Sequence, residues 1–169
     1  MSDQRIWAPW RLEYILEHVA DKSKKAKGAC VFCEAQKGRA SQKNLVLYRG
    51  QHAYIIMNKY PYANAHLMVI PNRHLSDFSK LTSEEHQEMG ELLSLCTKVL
   101  KKIAKPHGFN IGMNLGEAAG AGIKEHLHYH IVPRWSGDHN FMPVVANLRV
   151  MMEHIKKTYI KLKTEFDLV

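Results

Sequence analysis

No stretch of this sequence stays apolar for the roughly 18 residues that a membrane-spanning helix needs. The opening residues, Met-Ser-Asp-Gln-Arg-Ile-Trp-Ala-Pro-Trp, carry no apolar core of the kind found in a secretory signal. These two absences predict a cytoplasmic protein with no membrane partner. Cysteine is scarce as well: there are 3 in 169 residues, two of them close together as Cys30 and Cys33. That excludes a disulfide framework. In a reducing compartment the pair points instead to a metal knuckle or a redox couple. Internal repeats and low-complexity segments are missing, which excludes solenoid and fibrous classes.

What is present fits one globular domain. An apolar fraction of 46% over 169 residues supplies a real core, and the length is short for two. The formal charge of +8 would suit an anionic partner such as a polyphosphate or a nucleic acid. Much of it, however, lies in Lys22, Lys24, Lys25 and Lys27, and in Lys156, Lys157, Lys161 and Lys163, which read as solvated faces. No nucleic-acid module is visible, so a nucleic-acid partner is not expected.

Along the chain, 10–18 can form a short helix and 21–28 reads as a polar loop. Cys30-Val-Phe-Cys33 leads into a turn ending near Gly38. Strand-like runs follow at 45–48 and 53–57, joined by a tight connection at Gly50 and Gln51, and a third spans 66–70 before Pro71. The clearest helix runs from about Thr82 to Lys105. Thr82 and Glu85 match a capping box, and Met89, Leu92, Leu93, Cys96, Val99, Leu100 and Ile103 recur at helical spacing. A strand at 109–114, a Gly/Ala-rich loop at 116–122, a strand at 126–132 stopped by Pro133, and a mostly helical tail at 143–166 complete the reading. The tail's apolar side is Val144, Leu148, Met151, Met152 and Ile155. Strands in runs around one long helix, without strict alternation, predict α+β with an antiparallel sheet.

The most informative stretch is Glu125-His126-Leu127-His128-Tyr129-His130-Ile131-Val132-Pro133. On a strand, His126, His128 and His130 share one face and Leu127, Tyr129 and Ile131 the other. Three imidazoles in a row fit a metal site, nucleophilic attack by a neutral ring on phosphorus, or a polar sheet face without chemistry. The loop 116–122 leads straight into this row, and its small residues let backbone N–H groups approach a phosphate.

His126-Leu127-His128-Tyr129-His130-Ile131-Val132 resembles the His-φ-His-φ-His-φ-φ signature, with φ apolar, of the histidine triad (HIT) superfamily. The resemblance spans about Cys30 to Trp135. Asn58 precedes His66 at the family's spacing, and Ile70-Pro71-Asn72-Arg73-His74 is similar to its Ile-Pro-Lys-x-His segment. The outer segments Trp7-Ala8-Pro9-Trp10-Arg11 and 133–142 resemble a bacterial branch described as diadenosine tetraphosphate hydrolases or phosphorylases.

The resemblance implies a single HIT-type domain over 1–169, with an N-terminal extension (1–29), a core (30–135) and a C-terminal loop and helix (136–169). It implies a meander-like antiparallel sheet with a long central helix and a C-terminal helix. It also implies cleavage of an AMP-containing phosphoanhydride through a covalent nucleotidyl-histidine at His128. A phosphorylase or an adenosine phosphoramidase is the alternative, and a nucleotide-binding module without turnover a further one. His130 would bond the phosphate, Asn58 the ribose hydroxyls, and Asn114 the phosphate or leaving group, with His66 supporting the triad from behind. Relatives often carry Ser or Thr three residues before the first histidine; here Ile123 stands there, so backbone amides near Gly122 and Ile123 would take over. Many relatives bind a structural zinc, whose ligands here would be Cys30, Cys33, His74 and His126. No catalytic cofactor is expected, and such proteins usually form homodimers. The aromatics Trp7, Trp10 and Trp135 could serve that interface or cover the nucleotide.

Overall fold

Two segments, residues 29–138 and 153–169, are described by the computed structural model of the chain. The predicted features at 10–18 and 21–28, and Val144, Leu148, Met151 and Met152, lie outside them, as do Trp7 and Trp10. The unit from Val31 to Val169 is compact. It contains α1 (Val31–Gln36), β1 (Val46–Arg49), β2 (Ala53–Met57), β3 (Leu67–Pro71), a 3-10 turn (Phe78–Lys80), α2 (Ser83–Ala104), β4 (Gly108–Met113), β5 (Tyr129–Arg134) and α3 (Ile155–Phe166).

The strands form a five-stranded sheet in the order β1-β2-β3-β5-β4, every pair antiparallel. The fold is α+β, as predicted. β1 to β3 run as a meander; β5 then inserts between β3 and β4, so the last strand among the described residues lies inside the sheet. The β1–β2 connection is fixed by a carboxylate: Glu88 of α2 accepts N–H bonds from Gln51 (2.7 Å), His52 and Ala53 (2.9 Å). Gly50 fits there because a Cβ would run into Glu88 and come within 2.9 Å of the Ala53 carbonyl.

α2 starts where its sequence signal places it. The Glu85 N–H donates to Thr82 Oγ1 (3.3 Å) and the Thr82 N–H to the Glu85 carboxylate (2.9 Å), a complete capping box. Its buried stripe is Met89, Leu92, Cys96, Val99 and Leu100. α2 packs on β2, β3 and β5, and α3 packs on α2 and β1. On α3 the buried face is Thr158, Tyr159, Leu162 and Phe166, and the Tyr159 hydroxyl donates to the Val46 carbonyl (3.0 Å).

Register decides which residues share a face. Tyr54 pairs Ile70, and Met68 pairs both Ile56 and His130, so these side chains lie on one face. Ile55, Val69 and Tyr129 lie on the other, where Phe78 touches both Tyr129 and His86 of α2. α1 covers the first face: the Tyr54 hydroxyl donates to the Phe32 carbonyl (2.8 Å).

Two local expectations need correction. Cys33 lies inside a six-residue helix, where a turn was predicted. β5 begins at Tyr129, so His126 and His128 sit on its approach, and it runs through Pro133 to Arg134. Pro133 is tolerated because the neighbouring Arg134 carbonyl accepts from the His107 N–H (2.8 Å) on the β4 side. Alternation turns Pro133's missing donor toward β3, whose pairing with β5 has ended at Leu67↔Ile131.

Candidate active site and metal centre

His128 is 5% exposed, and its Nδ1 lies 2.8 Å from the His126 carbonyl oxygen. A carbonyl only accepts, so Nδ1 carries the proton and Nε2 keeps its lone pair. Burial pushes this imidazole below the usual histidine range, against the opposing effect of that hydrogen bond. The result is a neutral ring at pH 7 whose lone pair has a fixed position.

His130 follows on the same face, its ring centroid 4.8 Å from that of His128. Its protonation is set by a chain of donors. The Tyr62 N–H (3.1 Å) and the Asn58 amide nitrogen (3.3 Å) both donate to Nδ1 of His66. His66 therefore carries its proton on Nε2 and donates it to Nδ1 of His130 at 3.0 Å. His130 is left with an Nε2–H donor. Burial, then the neighbouring His128, pushes its pKa down to about 4, so it donates as a neutral ring. Asn58 sits just past β2, where its Oδ1 accepts from the Tyr60 N–H (2.9 Å). His66 sits just before β3 and is fully buried.

Asn114 lies one ladder step beyond the last β4–β5 pair, Met113↔Tyr129, at the level of His128. Its amide reaches the Gly120 carbonyl at 3.5 Å, across the mouth of the loop that holds Gly122 and Ile123. Gly122 is exposed and Ile123 half-buried. Asn58, His66, His130 and His128 form one run of contacts, and Asn114 is tied to the 116–122 loop through the Gly120 carbonyl.

His126 turns the other way. Its Nε2–H donates to the Pro71 carbonyl (3.0 Å), leaving the Nδ1 lone pair 3.6 Å from Cys33 Sγ and 3.3 Å from His74 Nδ1. Cys33 Sγ and His74 Nδ1 are 3.4 Å apart. One candidate ligand atom from each of Cys30, Cys33, His74 and His126 lies within 4.8 Å of the others. A tetrahedral zinc with ordinary bond lengths requires N···N near 3.3 Å and S···N near 3.5 Å, roughly the spacing seen here. The Pro71 carbonyl is the outer partner a ligating histidine normally has. The donor set therefore fits a closed zinc site.

Two residues at the site carry no signal the sequence reading used. Phe32 is 4% exposed, and its ring centroid lies 5.0 Å from His128 and 5.6 Å from His126. Tyr62 lies over His66 (4.8 Å) and His130 (5.6 Å). The position of Phe32 between two cysteines was the available clue.

The HIT domain family model matches residues 39–137. The chain is 38% identical over 165 residues to a Mycobacterium tuberculosis protein named AP-4-A phosphorylase, covering 96% of this chain and 84% of that one. This chain belongs to the HIT domain family. Among solved structures, a Zn-bound histidine triad family protein from Mycobacterium smegmatis superposes with TM-score 0.66 at 24% identity, covering 83% of this chain and 94% of that one. A hypothetical histidine triad nucleotide-binding protein from Sulfolobus tokodaii superposes with TM-score 0.61 at 26% identity, covering 81% and 89%. Among the described residues, no helix is long and apolar enough to cross a membrane.

Proposed function

We propose that the protein is a nucleotidyl hydrolase or transferase that cleaves diadenosine tetraphosphate through His128. The carrying observation is the neutral His128 ring, with Nδ1–H held by the His126 carbonyl and Nε2 unprotonated. In the first step the Nε2 lone pair bonds to the α-phosphorus of one AMP half. The bond from that phosphorus to the bridging oxygen breaks, and ATP leaves. In the second step an acceptor oxygen attacks the same phosphorus and the phosphorus–nitrogen bond breaks, returning the electron pair to Nε2. Water as acceptor gives AMP; inorganic phosphate gives ADP. Splitting the exchange in two lets one pocket hold the same nucleotide half throughout.

His130 donates its Nε2–H to a phosphate oxygen, and His66, with Asn58 behind it, keeps that donor in place. Asn58 also serves the ribose hydroxyls. Asn114 and the amides near Gly122 and Ile123 serve the phosphates. A zinc on Cys30, Cys33, His74 and His126 supplies no chemistry to the substrate; it ties α1 to the β3 and β5 segments. We read the whole chain as one cytoplasmic domain acting as a homodimer. The half-exposed Ile111 on β4, at the edge of the sheet, is consistent with a subunit contact.

Phosphorolysis is the second reading, favoured by the likeness to the M. tuberculosis phosphorylase. Diadenosine tetraphosphate incubated with and without phosphate separates the two: ADP plus ATP marks the phosphorylase, AMP plus ATP the hydrolase. His128→Ala should lower kcat by a factor on the order of 10⁴ or more while AMP still binds. A variant that turns over like the parent, or a parent with no phosphorus–nitrogen adduct by mass, would overturn the proposal.

A further inference from the structure

The cysteine pair brackets a phenylalanine that lies against the proposed nucleophile. We infer that Phe32 is a positioning residue through which the Cys/His metal centre holds His128 in its reactive orientation and tautomer. This rests on the reading of His128 given above.

Two separate supports of the His128 ring run through the metal centre. The first is Phe32, covalently next to Cys33, with its ring against His128 and edge-on to His126. Its backbone is pinned to the sheet by the Tyr54 hydroxyl, so the ring acts as a wedge between the two histidines. The second is the His126 carbonyl, which accepts the His128 Nδ1–H while the ring of that same residue turns its lone pair to Cys33 and His74. A metal that fixes the His126 ring also fixes this carbonyl.

The coupling follows from the donor chemistry. Without an ion, only a hydrogen bond from His74 Nδ1 (3.3 Å) or from the Cys33 thiol (3.6 Å) can hold the Nδ1 lone pair of His126. Such long bonds are far weaker than a metal–ligand bond, and the groups are freer to separate. Separation moves Cys33, and with it Phe32 on a helix only six residues long. Buried aromatic contacts hold a neighbour by close packing, and a displaced ring leaves space into which the imidazole can turn.

The test reads His128 without substrate, by ¹⁵N NMR of the histidine rings at fixed pH. Zinc-loaded protein should show His128 as one tautomer, protonated on Nδ1. Protein stripped by a chelator should show a mixture. Phe32→Ala should shift His128 toward that mixture with zinc still bound in full, and stripping it should change His128 less than stripping changes the parent, because one of the two supports is already gone. Its kcat should fall about 10- to 100-fold with KM little changed. Phe32→Leu should fall between parent and Phe32→Ala, and it carries the same cycle if the alanine variant does not fold. A single unchanged tautomer after stripping, independent additive effects, or a chain that retains no zinc would overturn the inference. Absence of dinucleotide cleavage would overturn the proposed function instead, leaving the tautomer measurement intact.

Discussion

At His128, His130 and His66, similar rings take different protonation patterns because their partners differ. A carbonyl behind His128 forces the proton to Nδ1; a backbone N–H behind His66 forces it to Nε2, and His130 inherits its pattern from His66. The sequence showed three alternating histidines but could not show this, because the deciding partners are main-chain groups and a histidine 64 positions away. Ala65 is a second residue with a legible cost. Its φ of 56° puts a side chain in the left-handed region, directly before His66. Ala65→Gly is expected to raise unfolding stability by about 1 kcal/mol, measured by urea denaturation, with activity retained. A loss of stability would mean that the buried methyl outweighs the strain.

Among the elements, α2 depends on its first turn. Glu85 is almost fully buried, accepts from Arg73 Nε (2.6 Å) and Nη2 (2.7 Å), and closes the capping box. Chiefly the Arg73 bonds, and then the Thr82 N–H, hold its carboxyl below the ordinary value of 4.5, against burial, which raises it. A depressed folded pKa gives stability that is fully present above the unfolded value and lost as pH falls through the folded one. Glu85→Gln should therefore be less stable than the parent at pH 7, and the gap should narrow as pH falls below about 4.5 in a series of urea titrations. A gap independent of pH would sink this account.

The same local chemistry explains which elements could be read in advance. The capping box and the apolar stripe specify α2 without help from elsewhere, and β2 was placed correctly from its β-branched run. The alternation of histidines starts about three residues before the ladder does, because the His126 ring turns toward the Pro71 carbonyl, Cys33 and His74 before β5 meets β3 at Tyr129. α1 leaves no helical pattern in the sequence because it has only six residues and is held by tertiary contacts, the Tyr54 bond to Phe32 among them. The insertion of β5 between β3 and β4 left no trace in local pattern.

For the whole molecule, the cluster of Cys33, His74 and His126 joins α1, the segment after β3 and the approach to β5, and a zinc ion is expected to bind there. An ion bound only by the folded state adds about 2.7 kcal/mol of stability when present at a hundred times its Kd. Chelation should accordingly lower Tm, and readdition of zinc should restore it with one ion per chain by elemental analysis. A Tm indifferent to chelation would remove zinc from the fold's support.

The placement of β5 has a consequence for how the molecule comes into being. The ladder Leu67↔Ile131 and the contact between His66 and His130 join chain positions 64 residues apart. A polypeptide emerging from the ribosome can neither set His66 against His130 nor cover the edge of β3 until residue 131 has been added. A chain interrupted before that point therefore leaves β3 as a bare edge, open to pairing with another chain.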